Sequence, residues 1–122
     1  MKFYIAGHDQ RDCRYVAKLL KDAGHTITST WLYLDFVPTS RYSHAEKREI
    51  AVTDTREILD SDAVVITPSP YRVPGGKFVE AGIAIGAGKV VFALGSRENM
   101  LMWHPSVHLH ASVEELIEHL AP

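Results

Sequence analysis

Residues 62–95 read DAVVITPSPYRVPGGKFVEAGIAIGAGKVVFALG. Two short valine-rich runs, DAVVITP and KVVFALG, enclose a loop with prolines and paired glycines and then a helix expected from about Gly76 to Ala87. A strand, a crossover helix and a second strand form the unit that joins parallel neighbours. Near-continuous apolar strands belong in a sheet covered on both faces. One residue does not fit a purely structural account. Glu80 is the only charge between Lys77 and Lys89, in a helix that is apolar nearly all round, so its carboxylate has no obvious partner.

The same alternation extends in both directions. KFYIAG is a first strand ending at Gly7, and Tyr15, Val16, Leu19, Leu20 and Ala23 then recur at helical spacing up to Gly24. HTITSTW is rich in β-branched residues and predicts a second strand, and LYLDFVPTSRYSH predicts a long loop, a kind of segment that often carries function. A helix is expected from about Ala45 to Leu59, a short strand at SVHLH, and a last helix with Val113, Leu116, Ile117 and Leu120 on one face. The pattern is α/β: a single flavodoxin-like three-layer domain over residues 1–122 with a five-stranded parallel sheet of order 2-1-3-4-5. Such folds take ligands beyond the carboxyl ends of the strands, at the switch point between strands one and three. Glu80 follows the end of the third strand, so the fold and the odd carboxylate indicate one crevice.

Composition narrows the function classes. A chain of 122 residues, 46% hydrophobic and 23% charged, is of ordinary globular make-up, and a formal charge of -2 gives no footprint for a nucleic-acid polymer. MKFYIAGHDQ lacks the apolar length of a signal peptide or membrane span, so a cytoplasmic location away from membranes is expected. The single cysteine, Cys13, has no internal disulfide partner and is expected to fill a helix face. His108 and His110 share a strand face without an evident third ligand, so neither a metal nor a cofactor is expected.

The chemistry concentrates on carboxylates. Glu80 is expected on the first turn of its helix, where the dipole would keep it ionised and nucleophilic; a dipole-friendly N-terminal residue with no further role explains it as well. Asp54 falls between Ile50, Ala51 and Ile58 in the apolar stripe of its helix, whereas Glu49, Arg56 and Glu57 are free to face water. A buried carboxyl has a raised pKa, which suits a proton donor to a leaving group; a buried Asp bonded to loop backbone is the plain alternative. Two unlike carboxylates at one pocket are the equipment of glycosidic chemistry. Tyr4 is placed to orient Glu80 through its hydroxyl or to serve as a core tyrosine. Gly75 and Gly76 permit close backbone approach to a ligand, or simply form a turn and cap. Trp31 and Tyr33 offer faces for stacking on a base or sugar, or pack the loop.

FYIAG, AGHTITSTWL, a central D...I..SDAVV, PGGKFVEAGIAIGAGKVV and SREN together resemble the nucleoside 2-deoxyribosyltransferase family over nearly the whole chain. The family includes hydrolases of 2'-deoxynucleoside 5'-monophosphates. The resemblance implies Glu80 as the nucleophile that forms a deoxyribosyl ester, Tyr4 as the tyrosine that positions it, and Asp54 as the aspartate handling the base. It also implies that Asn99 is lent to the sugar by a neighbouring subunit, so a homo-oligomer with shared sites is expected. Gly7, Gly75, Gly76, Asn99, Ser69 and Trp31 are the expected substrate contacts. The substrate would be a small deoxynucleoside or deoxynucleotide together with a free nucleobase.

The transferases carry a further aspartate shortly before the nucleophile, and SPYRVPGG has none. Base specificity therefore stays open, and transfer of the deoxyribosyl group to another base is expected ahead of monophosphate hydrolysis, for which Ser69, Arg72 or Lys77 would have to meet the phosphate. PGGKFVE also resembles the PGG-x-GT-x-x-E signature of phosphoribohydrolases that release cytokinin bases, but the GT step is missing and Glu80 lies too close to the glycines. A nucleotide-sensing module of the same shape would need no carboxylate in its core.

Overall fold

The computed structural model describes residues 1–69 and 71–122. Strand β1 (Lys2–Ala6) is followed by helix α1 (Gln10–Asp22), β2 (Thr26–Ile27), α2 (His44–Leu59), β3 (Ala63–Ile66), α3 (Gly76–Gly86), β4 (Val90–Leu94), β5 (Val107–His110) and α4 (Val113–Leu120). The five strands pair in parallel in the order β2-β1-β3-β4-β5, as the apolar runs and intervening helices require.

The period of two along each strand sorts side chains into two cores. Phe3, Ile5, Ala63, Val65, Phe92 and Leu94 point to the layer that also holds Val16 and Leu20 of α1 and Leu116 of α4. Tyr4, Ala6, Val64, Ile66, Val91 and Ala93 point the other way, to Ile58 of α2 and to Ala81 and Ala84 of α3. Tyr4 therefore lies on the same side of the sheet as α3, which sets up the site below.

The helices begin where side chains satisfy free backbone amides. Asp9 accepts from Arg11 N at 2.8 Å, Ser43 and Glu46 form a reciprocal capping box, and Ser112 accepts from Glu115 N. After α1, Gly24 takes φ +93, the left-handed conformation that glycine reaches without penalty.

Two expectations need correction. The second strand is far shorter than HTITSTW: Ile5 N donates to Ser29 Oγ, so a side chain replaces the next backbone carbonyl and the ladder ends. Trp31–Tyr33 then coil into a 3-10 turn. On α1 the inward face is Cys13, Val16, Ala17 and Leu20, while Tyr15 turns out to solvent and donates its hydroxyl to Glu114 of α4 at 2.6 Å. Cys13 fills the helix face as expected.

Where β1 ends, Gly7 is required by crowding. A Cβ there would lie 2.0 Å from Thr67 Oγ1 and 2.6 Å from Cys13 Sγ, both buried, whereas one at Gly75 would meet nothing within 4 Å. Gly7→Ala should therefore lower the unfolding free energy by about 1–3 kcal/mol through overpacking, with Gly75→Ala within about 0.5 kcal/mol of the parent. Urea denaturation of the two variants side by side checks the contrast.

Candidate functional site

A cavity of about 590 Å³ opens past the carboxyl ends of β1 and β3, the predicted switch point. Gly7 and His8 from the end of β1, Trp31 and Phe36 from the long loop, and Gly76 and Glu80 of α3 are among its lining residues. Three of the expected contacts, Gly7, Gly76 and Trp31, thus share one wall system with Glu80.

Glu80 is the fifth residue of α3, so it stands on the second helical turn and not the first. The helix dipole fades within the first turn and does not hold this carboxylate ionised. Burial instead pushes its pKa up to about 7, with the Asp54 charge adding to the rise and the Tyr4 hydroxyl, which donates to Glu80 Oε2, opposing it. Near neutral pH the group is therefore divided between acid and carboxylate. Tyr4 is fully buried, and burial with the adjacent Glu80 charge raises its own pKa, so the hydroxyl keeps its proton and serves as a donor.

Asp54 is half-buried rather than enclosed, because α2 presses only Ile58 fully into the core and leaves Ala51 and Val52 in solvent. Desolvation, followed by the Glu57 charge, still raises Asp54 to about 6. It does not line the cavity, yet its charge acts on both Glu80 and Tyr4. Glu57, expected to face water freely, accepts from Thr30 N at 3.0 Å and Thr30 Oγ1 at 2.6 Å.

The long loop forms the opposite wall. Gln10 Nε2 donates to Trp31 O at 2.9 Å and Leu34 O at 2.7 Å, which fixes the start of the loop to α1. Trp31 Nε1 donates to Ile5 O at 2.9 Å, so the indole is held with its edge bonded to β1. Beyond it, Phe36 and Tyr42 face the cavity together with Asp35, and Tyr71 closes the other side. Tyr33 does not take part: its hydroxyl accepts from Lys21 at 2.6 Å and the ring is exposed.

Other expected contacts lie elsewhere. Ser69 lines a smaller adjoining pocket of about 360 Å³ with Arg72, Ser96 and Glu98. Gly75 lines neither. Asn99 Oδ1 accepts from Leu101 N at 3.0 Å and Met102 N at 3.3 Å, capping a 3-10 turn at Met100–Trp103 and standing apart from this chain's cavity. His108 and His110 rest against the Phe92 ring, and among the described residues no group of three or more His, Cys, Asp or Glu is placed to hold a metal ion.

Sequence reasoning missed Lys77 as a buried side chain, and missed Gln10 and the aromatic wall of Phe36, Tyr42 and Tyr71. Lys77 is available to no phosphate in this arrangement, since its ammonium donates to Thr67 O, Ser69 Oγ and Glu98 Oε2. Its position three residues before Glu80 was the available signal, because residues at that spacing share a helix face.

Residues 3–117 match the nucleoside 2-deoxyribosyltransferase family. A search of the curated proteins finds no match. Among solved structures, a 2-deoxyribosyltransferase of Bacillus psychrosaccharolyticus is similar at 22% identity and TM-score 0.72, covering 96% of this chain and 90% of that one. A CMP N-glycosidase of Clostridium botulinum aligns at 16% identity and TM-score 0.63 over 98% of each chain. A 2-deoxyribosyltransferase of Leishmania mexicana aligns at 20% identity and TM-score 0.62 over 98% of this chain and 99% of that one. At these identities the structural likenesses speak to the fold. Among the described residues no helix is long and apolar enough to cross a membrane.

The raised pKa of Glu80 has a consequence for stability. The folded state holds the Glu80 proton more tightly than the unfolded chain does, so this contribution is complete below about pH 4.5 and is lost as pH rises through about 7. Glu80→Gln keeps the shape and removes the desolvation cost. At pH 8 the variant should be more stable than the parent by about 1–3 kcal/mol, and at pH 4 the two should coincide. Urea melts at both pH values test this, and equal stability at pH 8 contradicts the assignment.

Proposed function

The chain belongs to the nucleoside 2-deoxyribosyltransferase family, and from that premise we propose that it cleaves the N-glycosidic bond of 2'-deoxynucleosides through a deoxyribosyl ester on Glu80 and passes the sugar to another base. The observation that carries the proposal is the Glu80 carboxyl, desolvated at the cavity wall and bonded to the Tyr4 hydroxyl, with Asp54 acting on it from α2.

In the first step a Glu80 carboxylate oxygen attacks C1' of the sugar. The C1'–N bond breaks and its electron pair leaves with the base, which takes a proton relayed from Asp54 through water, or from solvent. In the second step a nitrogen of an incoming base attacks C1', the ester C–O bond breaks, and the carboxylate is regenerated. The proton lost by that nitrogen returns to Asp54 or solvent. Two displacements at one carbon retain its configuration. Tyr4 aligns the carboxylate, and the desolvation of Glu80 keeps water from blunting its attack. A missing 2'-hydroxyl eases the oxocarbenium-like transition state, so ribosyl substrates should react poorly.

Hydrolysis of 2'-deoxynucleoside 5'-monophosphates is the second reading, and Arg72 with Ser96 in the adjoining pocket favours it. Against it, the main cavity carries Asp9, Asp35 and Glu80, and its one lysine is spent on protein acceptors. Free deoxynucleosides are the better fit to that charge.

Chromatography of reactions that mix deoxynucleosides, or their monophosphates, with a foreign free base distinguishes the two. A new deoxynucleoside is the expected product, while base and deoxyribose 5-phosphate would establish hydrolysis. Tight binding with no base release in either mixture sinks both. Glu80→Gln should bind substrate and lose at least about three orders of magnitude in rate. A slow fluorinated deoxyribosyl analogue should leave its sugar on the Glu80 peptide in mass spectrometry, and a label on another residue rejects the mechanism.

Assembly belongs to the same proposal. Val79 of α3 is 65% exposed and Met100, Leu101 and Trp103 also stand in solvent in the single chain, an apolar surface suited to a second copy. Asn99, beside those residues, is the side chain we assign to a neighbour's site. Mixing inactive Asn99→Ala and Glu80→Ala proteins under exchange conditions should restore part of the activity, whereas a fully active monomer at high dilution excludes sharing.

A further inference from the structure

Among the described residues Lys77 is the one charged side chain fully buried, at 3% exposure. An ammonium has three protons. All three have protein acceptors: Thr67 O at 3.0 Å, Ser69 Oγ at 2.7 Å and Glu98 Oε2 at 2.5 Å. The other oxygen of Glu98 accepts from Ser69 N at 3.1 Å. The first turn of α3 is thereby tied to the end of β3, to the loop that follows it, and to the loop after β4.

A buried ion pair is a poor device for stability alone, since desolvation offsets much of its attraction. What it supplies here is orientation. The fully buried apolar contacts of α3 are Ala81 and Ala84, whose short side chains interlock weakly and leave rotation of the helix about its axis poorly defined. Phe78, Ile83 and Ile85 are half-buried and add packing without a directional bond. Lys77 and Glu80, three residues apart, lie on one face of the helix and both line the cavity.

We infer that the Lys77 strut sets the rotation of α3 and so holds the Glu80 carboxyl against the Tyr4 hydroxyl, which makes Lys77 a positioning residue. Its consequence for turnover rests on the function proposed above; the positional claim does not. The titratable groups acting on Glu80 are Tyr4 from β1 and Asp54 from α2, with Cys13 of α1 coupled to it more weakly, while Glu98 neutralises Lys77 itself. Tyr4 is thus the group whose contact reports the alignment.

The experiment is a ¹³C NMR titration of glutamate carboxyl groups, with Glu80 assigned by its absence in Glu80→Gln. Tyr4→Phe removes the donor and should raise the Glu80 midpoint by at least about half a pH unit in the parent. In a Lys77→Met background the same substitution should move it by less than about 0.2 unit, because the contact has already been lost. Equal shifts in the two backgrounds, or no shift in either, overturn the inference. Should Lys77→Met fail to fold, Glu98→Gln weakens the strut while keeping its shape, and there the Tyr4→Phe effect should fall to about half or less; an undiminished effect again overturns it. In turnover, Lys77→Met should reduce kcat by about tenfold or more with KM within about threefold. A parent enzyme that releases no base refutes the proposed reaction and leaves the titration to decide the strut.

Discussion

A carboxyl kept from water at the end of a parallel sheet is costly unless a donor meets it, and for Glu80 that donor is the hydroxyl of Tyr4. The interaction constrains a large part of the molecule. Tyr4 stands opposite Val64 in the β1–β3 pairing, so the register of the two strands fixes how far along the sheet its hydroxyl is delivered. A slip of one residue would turn the ring to the other face, toward α1 and away from Glu80. The crowding of Gly7 against Thr67 and Cys13 draws the ends of the same strands together at the mouth of the cavity. Sheet register, the turn after β1 and the seating of α3 therefore converge on one hydrogen bond.

The parallel order was legible because every inner strand is buried on both faces and so appears as an unbroken apolar run. Residues 63–66 and 91–94 illustrate this. The edge was harder to read. HTITSTW has strand composition, but whether Ser29 Oγ accepts from Ile5 N depends on the neighbouring strand, which no local pattern records. Glu80 is identifiable as a charge without a partner, but its ionisation is not: the helix starts at Gly76 as expected, yet Glu80 is its fifth residue, and burial outweighs the fading dipole there. Asp54 shows the converse. It lies in the stripe as expected, but α2 has little of its surface covered, with Ile58 alone fully buried, so a central position on the helix does not bring full burial.

Lys77 was the least legible feature. Lysine is normally an exposed residue, and its partner Glu98 is 21 positions away on the loop after the next strand. The two meet only because β3 and β4 are parallel neighbours whose carboxyl ends lie at the same end of the sheet. The long loop was recognisable as functional by its length and aromatics, but which rings face inward is decided by tertiary anchors. Gln10 and Ile5 hold Trp31 in the wall, and Lys21 draws Tyr33 away from it.

The composition of α3 now has a physical account on both sides. Alanine at positions 81 and 84 lets the helix axis approach the sheet closely, which is what brings a side chain as short as glutamate within reach of a hydroxyl rooted in β1. Larger residues there would interlock better and also lift the helix away. The close approach thus leaves the helix weakly keyed to the sheet, and a directional bond is needed to fix its rotation. Lys77 provides one from the first turn, where its three acceptors come from two separate segments, the one after β3 and the one after β4. The outward side carries Val79, which is exposed, while Ile83 and Ile85 are half-covered and turn only part of their surface to the inner core. A helix built this way has its position set from within by small residues and one ion pair, and leaves its remaining apolar surface to be covered from outside.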